Sequence, residues 1–386
     1  MDDYNVVIQF GSPYPTFLWD AARQWFGISS PHALAQYGGD YGRQPVGSGP
    51  FMLASWEPGS QIVLVRNPGY NWGPVYAAHQ GPAYLYQLIF LIMPNAKHRL
   101  EAFQVNEIQV ASEPPAAEAI ELDQNNQGVL ESFAQPGVPG ILMINTAKAP
   151  TDDLNVRKAM ILAIDQTELA KNAFQSLGFP TYSVLSPNTW AYNAQAASLY
   201  RFNLEEAGRL LDASGWSDRN ADGIREKNGI NLALDYVTNP VWESAFNELV
   251  AGYLQRAGFQ VTVRPMDDVG VYNEAVIRNY NLLYMYRVKA DPSPLRDLFH
   301  SDNIADGPAW TRYFNPEIND KITKADLEMD PKKREAMYAE IQKQFQGDAP
   351  LVWLEYTPAT AAWSNKVEGF NIEGLSYYRF ENVKKN

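Results

Sequence analysis

Asp218, Asn220 and Asp222 stand at alternate positions ahead of Gly223, the order in which oxygen ligands open a calcium loop. An EF-hand closes such a loop with a bidentate Glu at the twelfth position, where this chain has Gly229. The same spacing suits Asx turns, in which side-chain oxygens accept from backbone N–H groups two residues on. Turns are therefore the expected role, with calcium as the alternative.

Catalytic chemistry has fewer footholds. HExxH, a G-x-S-x-G elbow and a P-loop are all absent, and His32, His79, His98 and His300 are isolated from one another. Gly47-Ser48-Gly49-Pro50-Phe51 lacks the third glycine of a dinucleotide fingerprint and enters a strand through Pro50, so it reads as a tight turn. With no cysteine, disulfides, thiolate nucleophiles and cysteine-based metal sites are excluded. The 44 Asp and Glu residues leave room for two carboxylates at catalytic separation, so a glycoside hydrolase is the enzymatic alternative.

Binding chemistry is better supplied. Ten Trp and 22 Tyr provide large amphipathic rings, the side chains most used to line sites for bulky solutes. The net charge of −13, with no Lys/Arg run to reverse it locally, opposes nucleic acid and anionic lipid. The longest apolar run is too short to span a bilayer.

The elements that would position such residues follow from the pattern. Residues 141–145 form a short apolar strand, and Val156, Ala159, Met160, Ala163 and Ile164 fall at helical spacing. Asp165, three before Glu168, ends that helix and caps the next. Asp153 and Arg157 near the helix start are expected to fix the loop by capping or pairing. Asn203 with Glu206 opens another helix, and Asn315-Pro316 and Asp330-Pro331 open two more. A strand at 232–237, an amphipathic helix at 245–257 and a strand at 260–263 predict an α/β lobe with a parallel pair. Residues 5–10 read as a strand. The Pro- and Gly-rich stretch 135–140 marks a bend between units.

Asn145, Pro150, Asp153, Val156, Arg157, Ala159, Ala163, Ile164 and Asp165 occur in an order that resembles the family 5 extracellular solute-binding proteins, which feed peptides, nickel chelates and some oligosaccharides to ABC importers. Residues 45–51, Asn67-Pro68-Gly69-Tyr70, Asp291-Pro292 and Asp348-Ala349-Pro350 resemble further elements of that family in the same sequence. Asn106-Glu107-Ile108-Gln109 departs from its usual GEID at both the Gly and the Asp.

The resemblance implies an α/β fold of the periplasmic-binding-protein type (type II), with two lobes joined by a hinge. Lobe I is expected over 1–130 with a return at 356–386, and lobe II over 131–355. The family's N-terminal segment and export signal are expected to be missing ahead of residue 5. The implied function is capture of a peptide or other small polar solute for a permease, outside the cytoplasm, periplasmic or lipoprotein-anchored, with no cofactor, no nucleic acid and no membrane insertion of this chain. A sensor of the same fold is a further alternative.

The resemblance also nominates ligand contacts. Residues 281–288 resemble the strand that faces the cleft, which brings forward Tyr284, Tyr286 and Arg287, with Lys289 and Asp291 just beyond. Peptide-binding members place an Asp shortly before the DP turn to pair with the α-ammonium. Val288 takes that place here, between Arg287 and Lys289, which points to an anionic or neutral solute unless Asp291 does the work. Trp190 and Tyr192, on a loop at the expected cleft rim, complete the candidate set.

Overall fold

The computed structural model describes residues 5–385 apart from 219, 240–243 and 357. The chain divides into two compact units. The first comprises residues 5–19 and 134–358, the second residues 20–133 and 359–385.

The first unit is built on a six-stranded mixed sheet in the order Gln260–Pro265, Ala233–Thr238, Leu282–Val288, Gly137–Ile144, Leu351–Tyr356, Phe179–Pro180. The expected parallel pair is present, with Ala233 opposite Gln260 and Thr238 opposite Pro265, and Ser244–Arg256 is the intervening helix. Gly137–Ile144 pairs antiparallel on both sides, and all eight of its residues are buried. Such a strand has no solvent face, which is why residues 141–144 read as a continuous apolar run rather than an alternation. Burial of side chains of this size contributes roughly 1.5–3 kcal/mol each.

The polar residues at helix starts do what their spacing predicts. Asp153 accepts from the Asn155 N–H at 2.8 Å, Asp165 from Glu168 at 3.0 Å and Asn203 from Glu206 at 2.9 Å. Each such cap stabilises by about 1 kcal/mol. Arg157 is buried in the helix Leu154–Ala163 and donates to the carbonyls of Thr151, Asp152, Asp348 and Ala349. It thereby ties the loop before its own helix to the segment that enters the strand Leu351–Tyr356.

Two local expectations are corrected. Residues 5–10 form no strand, and Val6, Val7 and Ile8 are exposed. The strand read from residue 141 begins four residues earlier, at Gly137, inside the stretch read as a bend. Gly137 has φ +113°, and a Cβ there would meet the Arg287 carbonyl oxygen at 2.2 Å, so glycine lets two strands approach rather than turning the chain.

The second unit holds a three-stranded antiparallel sheet of Phe51–Glu57, Gln61–Arg66 and Gln87–Leu91. A second sheet places Pro358–Trp363 between Val110–Ser112 and Val129–Ala134. Its buried clusters are small, one around Ala361, Val367 and Phe370 and one around Leu100, Phe103 and Leu122. Among the described residues no helix is long and apolar enough to cross a membrane.

Candidate functional site

Strand Leu282–Val288 lies against Gly137–Ile144 with Val288 opposite Gly137 and an irregularity between Met285 and Arg287. The pairing ends at a junction. The Lys289 N–H donates to the Pro136 carbonyl at 3.1 Å, and the Gly137 N–H donates to Thr189 Oγ1 at 2.8 Å. The loop carrying Trp190 and Tyr192 is thus pinned to the strand end that carries Arg287 and Lys289.

Alternation along the strand puts Tyr284 and Tyr286 on one face, their rings 6.4 Å apart. The Tyr284 hydroxyl donates to Glu355 Oε1 at 3.0 Å, and Glu355 is fully buried. This contact passes over Gly140, where a Cβ would lie 2.3 Å from Glu355 Oε1 and 2.8 Å from the Tyr284 hydroxyl. Tyr284 is therefore held by the fold, its polar tip engaged within the unit. Tyr286 is half-buried and, with Gln135, Pro136, Val138, Pro139, Gly140, Val288 and Tyr356, lines a crevice of about 10 Å³. That is the space of one water at most.

Arg287 is exposed, and its Nη1 donates to the Tyr286 carbonyl at 3.1 Å. Lys289 is half-buried beside it. Tyr192 is also half-buried. Burial pushes its phenol above the usual range, against the opposing charge of Arg201.

Asp291 is the most enclosed of the candidates. It is fully buried, and its two oxygens receive Arg334 Nη1 at 2.5 Å and Nη2 at 3.0 Å, while Oδ1 also accepts from the Ser293 N–H at 2.9 Å. A carboxylate so enclosed and so paired fastens the fold. Trp190 belongs to the same fastening. Its ring lies 5.4 Å from the Arg334 guanidinium and 6.2 Å from the Tyr338 ring. The structure therefore sorts the candidates into a surface set of Tyr286, Arg287, Lys289 and Tyr192, and a buried or engaged set of Tyr284, Trp190 and Asp291.

Sequence reasoning missed Arg334 and Glu355. Arg334 follows Lys332 and Lys333 and reads as solvated, yet Arg334, Tyr338, Ile341 and Phe345 form one helical stripe, and all four are buried. Glu355 stands within the otherwise apolar run Leu351-Val352-Trp353-Leu354, where a carboxylate signals a specific partner.

The calcium reading does not gain support. Asp218 accepts from the Ala221 and Gly223 N–H groups, Asn220 from Asp222, and Asp222 from Ile224, all between 2.8 and 3.1 Å. These are Asx turns that use the loop's own oxygens. Among the described residues no three His, Asp or Glu side chains converge as a metal cage.

The profile of the bacterial extracellular solute-binding proteins, family 5 Middle, matches residues 1–306. The chain is 24% identical over 394 residues to the dipeptide-binding protein of Escherichia coli (strain K12), a match that takes in 99% of this chain and 70% of that protein. It is 24% identical over 335 residues to the oligopeptide-binding protein AppA of Bacillus subtilis (strain 168), covering 85% of this chain and 60% of that one. The chain thus spans between 60% and 70% of the length of these two relatives. In fold it is similar to NikA from Brucella suis, solved in complex with Fe(III)-EDTA, with a TM-score of 0.79 and 22% identity over 88% of this chain and 68% of that one.

Proposed function

The chain belongs to the bacterial extracellular solute-binding proteins of family 5, and on that premise we propose that it captures an anionic or neutral solute for delivery to the permease of an ABC importer. The family is a non-enzymatic one, which sets the hydrolase alternative aside. The lobe boundaries we propose are those expected from the sequence, near residues 130 and 355.

The observation that carries the choice of solute is the enclosure of Asp291. With that carboxylate committed to Arg334, the charged groups at the end of strand Leu282–Val288 are Arg287 and Lys289. An α-ammonium docked there would meet the exposed Arg287 cation, whereas a carboxylate or a neutral acceptor would meet a donor. The proposed contacts are Arg287, Lys289, Tyr286 and Tyr192. The Fe(III)-EDTA complex of the NikA relative is an instance of an anionic solute held by this fold, and the E. coli dipeptide-binding protein is an instance of the other kind.

The test is a tryptophan-fluorescence titration of the chain with a tripeptide, its N-acetylated form, a neutral oligosaccharide and an anionic metal chelate. The reading expects the N-acetylated peptide or the chelate to bind more tightly than the free-amine peptide. Arg287→Gln is then expected to weaken the anionic ligand about tenfold, the size of one modest charge contact. A requirement for the free amine, undiminished at Arg287→Gln, would overturn it.

A further inference from the structure

A second cavity lies elsewhere in the first unit, at the opposite end of strand Leu282–Val288 from Arg287. It has a volume of about 240 Å³, roughly that of eight waters in the liquid, and is lined by residues of the helix Asp268–Ile277, the residues after it, and the loop 304–312. Its walls are mixed. Ala275, Val276 and Ile304 are apolar, Tyr272 and Trp310 meet edge to face with centroids 6.4 Å apart, and Arg278 and Arg312 bring two guanidinium groups to the same space.

The backbones of both arginines are fixed, with Arg278 exposed and Arg312 half-buried. Arg278 caps the helix in the left-handed region at φ +66°, and its N–H reaches the carbonyls of Ala275 and Glu274. Arg312, also left-handed at φ +52°, follows Thr311, whose carbonyl accepts from both the N–H and the hydroxyl of Thr146. The buried Tyr280 donates its hydroxyl to the Trp310 carbonyl and fixes the wall between them. Two non-glycine residues held in the left-handed region beside one cavity are uncommon, and such positions gather at functional sites.

Among the described residues neither guanidinium is paired with a carboxylate. Among the described residues, no ion pair or side-chain hydrogen bond involves Arg278 or Arg312. The neighbouring carboxylate that could have served, Glu274, is taken by Arg264 at 2.6 Å and by Asn279 at 2.9 Å. Asp306 at the rim is the acidic group facing the cavity and pairs with neither arginine. Burial, and then the charge of Arg278, push the Arg312 guanidinium below its usual range. Part of the Arg278 charge is complemented by the carbonyls of the helix end. A second like charge facing the same space is not, and it calls for an anion.

We propose that this cavity is a binding site for a small organic carboxylate, its oxyanion between Arg278 and Arg312 and its apolar part against Tyr272, Trp310, Val276 and Ile304. Planar guanidinium forks match carboxylate geometry, and the aromatic edge suits a ring or short aliphatic body. The site is separate from the solute surface proposed above and does not depend on it.

Isothermal titration of the full chain with benzoate tests the assignment, with benzamide as the uncharged control of the same shape and inorganic phosphate as an anion lacking the apolar part. Saturable one-to-one binding of benzoate is expected, with benzamide at least tenfold weaker. Arg312→Gln and Arg278→Gly should each weaken benzoate by tenfold or more. Glycine relieves the left-handed backbone at 278, so that variant should melt at or above the parent temperature, which separates lost binding from lost structure. Absence of saturable benzoate binding would overturn the proposal. So would equal binding of benzamide, phosphate binding without benzoate binding, or benzoate affinity unchanged in both variants.

Discussion

The strands Gly137–Ile144 and Phe51–Glu57 are both rich in apolar residues and fare very differently. Every residue of the first is buried. In the second, Met52 and Trp56 are each 41% exposed, and no residue is fully buried. Sequence hydrophobicity is therefore not what separates them. The first is paired on both edges within a six-stranded sheet, packed by Met160, Leu169, Leu254 and Phe345 among others into one continuous core. The second is an edge strand of a three-stranded sheet in a unit whose cores are two small clusters. Burial is a property of layers, and a run of apolar residues acquires it only when both faces are covered.

This contrast can be broken most sharply at Arg334. Arg334→Met leaves Asp291 buried without its partner, which should cost the first unit about 3–5 kcal/mol in denaturant unfolding. Adding Asp291→Leu should recover most of that loss. A single substitution that costs under about 1 kcal/mol would mean the pair does not fasten the unit. The units themselves can be compared by amide hydrogen exchange. Residues 141–144 should be protected at least ~100-fold more than residues 62–65, a difference of about 2.7 kcal/mol in opening free energy. Equal protection would show that the small clusters suffice and that the contrast in burial has no energetic counterpart.

The smallest effect concerns Asp326, which joins the same buried network through the Tyr338 hydroxyl. Burial pushes its carboxyl up to about 6, partly offset by Arg296 at 3.6 Å and the Tyr338 hydroxyl at 3.3 Å. Because the folded-state value lies above the unfolded one, the folded protein holds a proton that the unfolded chain has already released between roughly pH 4 and 6. The stability contributed by that proton is full below this window and lost as pH rises through it. Asp326→Asn should therefore stabilise the first unit by about 1–3 kcal/mol at pH 7.5 and by little at pH 4. A gain of the same size at both pH values would assign the effect to something other than ionisation.

Much of the first unit was legible in its residues. The caps at Asp153, Asp165 and Asn203 announce themselves because an Asx side chain before a helical stripe has one dominant use, and the strand, helix, strand run from 232 to 263 has one dominant arrangement. What failed to show were relations across distance. Nothing local ties Asp291 to Arg334, 43 residues on, or Tyr284 to Glu355, 71 residues on. Glycines at 137 and 140 carried a true signal that was assigned to the wrong cause, since turning and close strand contact both require a missing side chain. Of the candidate site, charge at 287 and 289 was readable, while the burial of Asp291 and the contact of Trp190 with Arg334 were not.

The order of strands also sets a timetable. In both units a late segment completes the sheet: Leu351–Tyr356 flanks the fully buried strand Gly137–Ile144, and Pro358–Trp363 is the middle of the other three-stranded sheet. On a ribosome, the partners made first must wait for more than two hundred residues of further synthesis before either sheet can close, so the growing chain spends most of its manufacture as a set of helices and hairpins without a finished core.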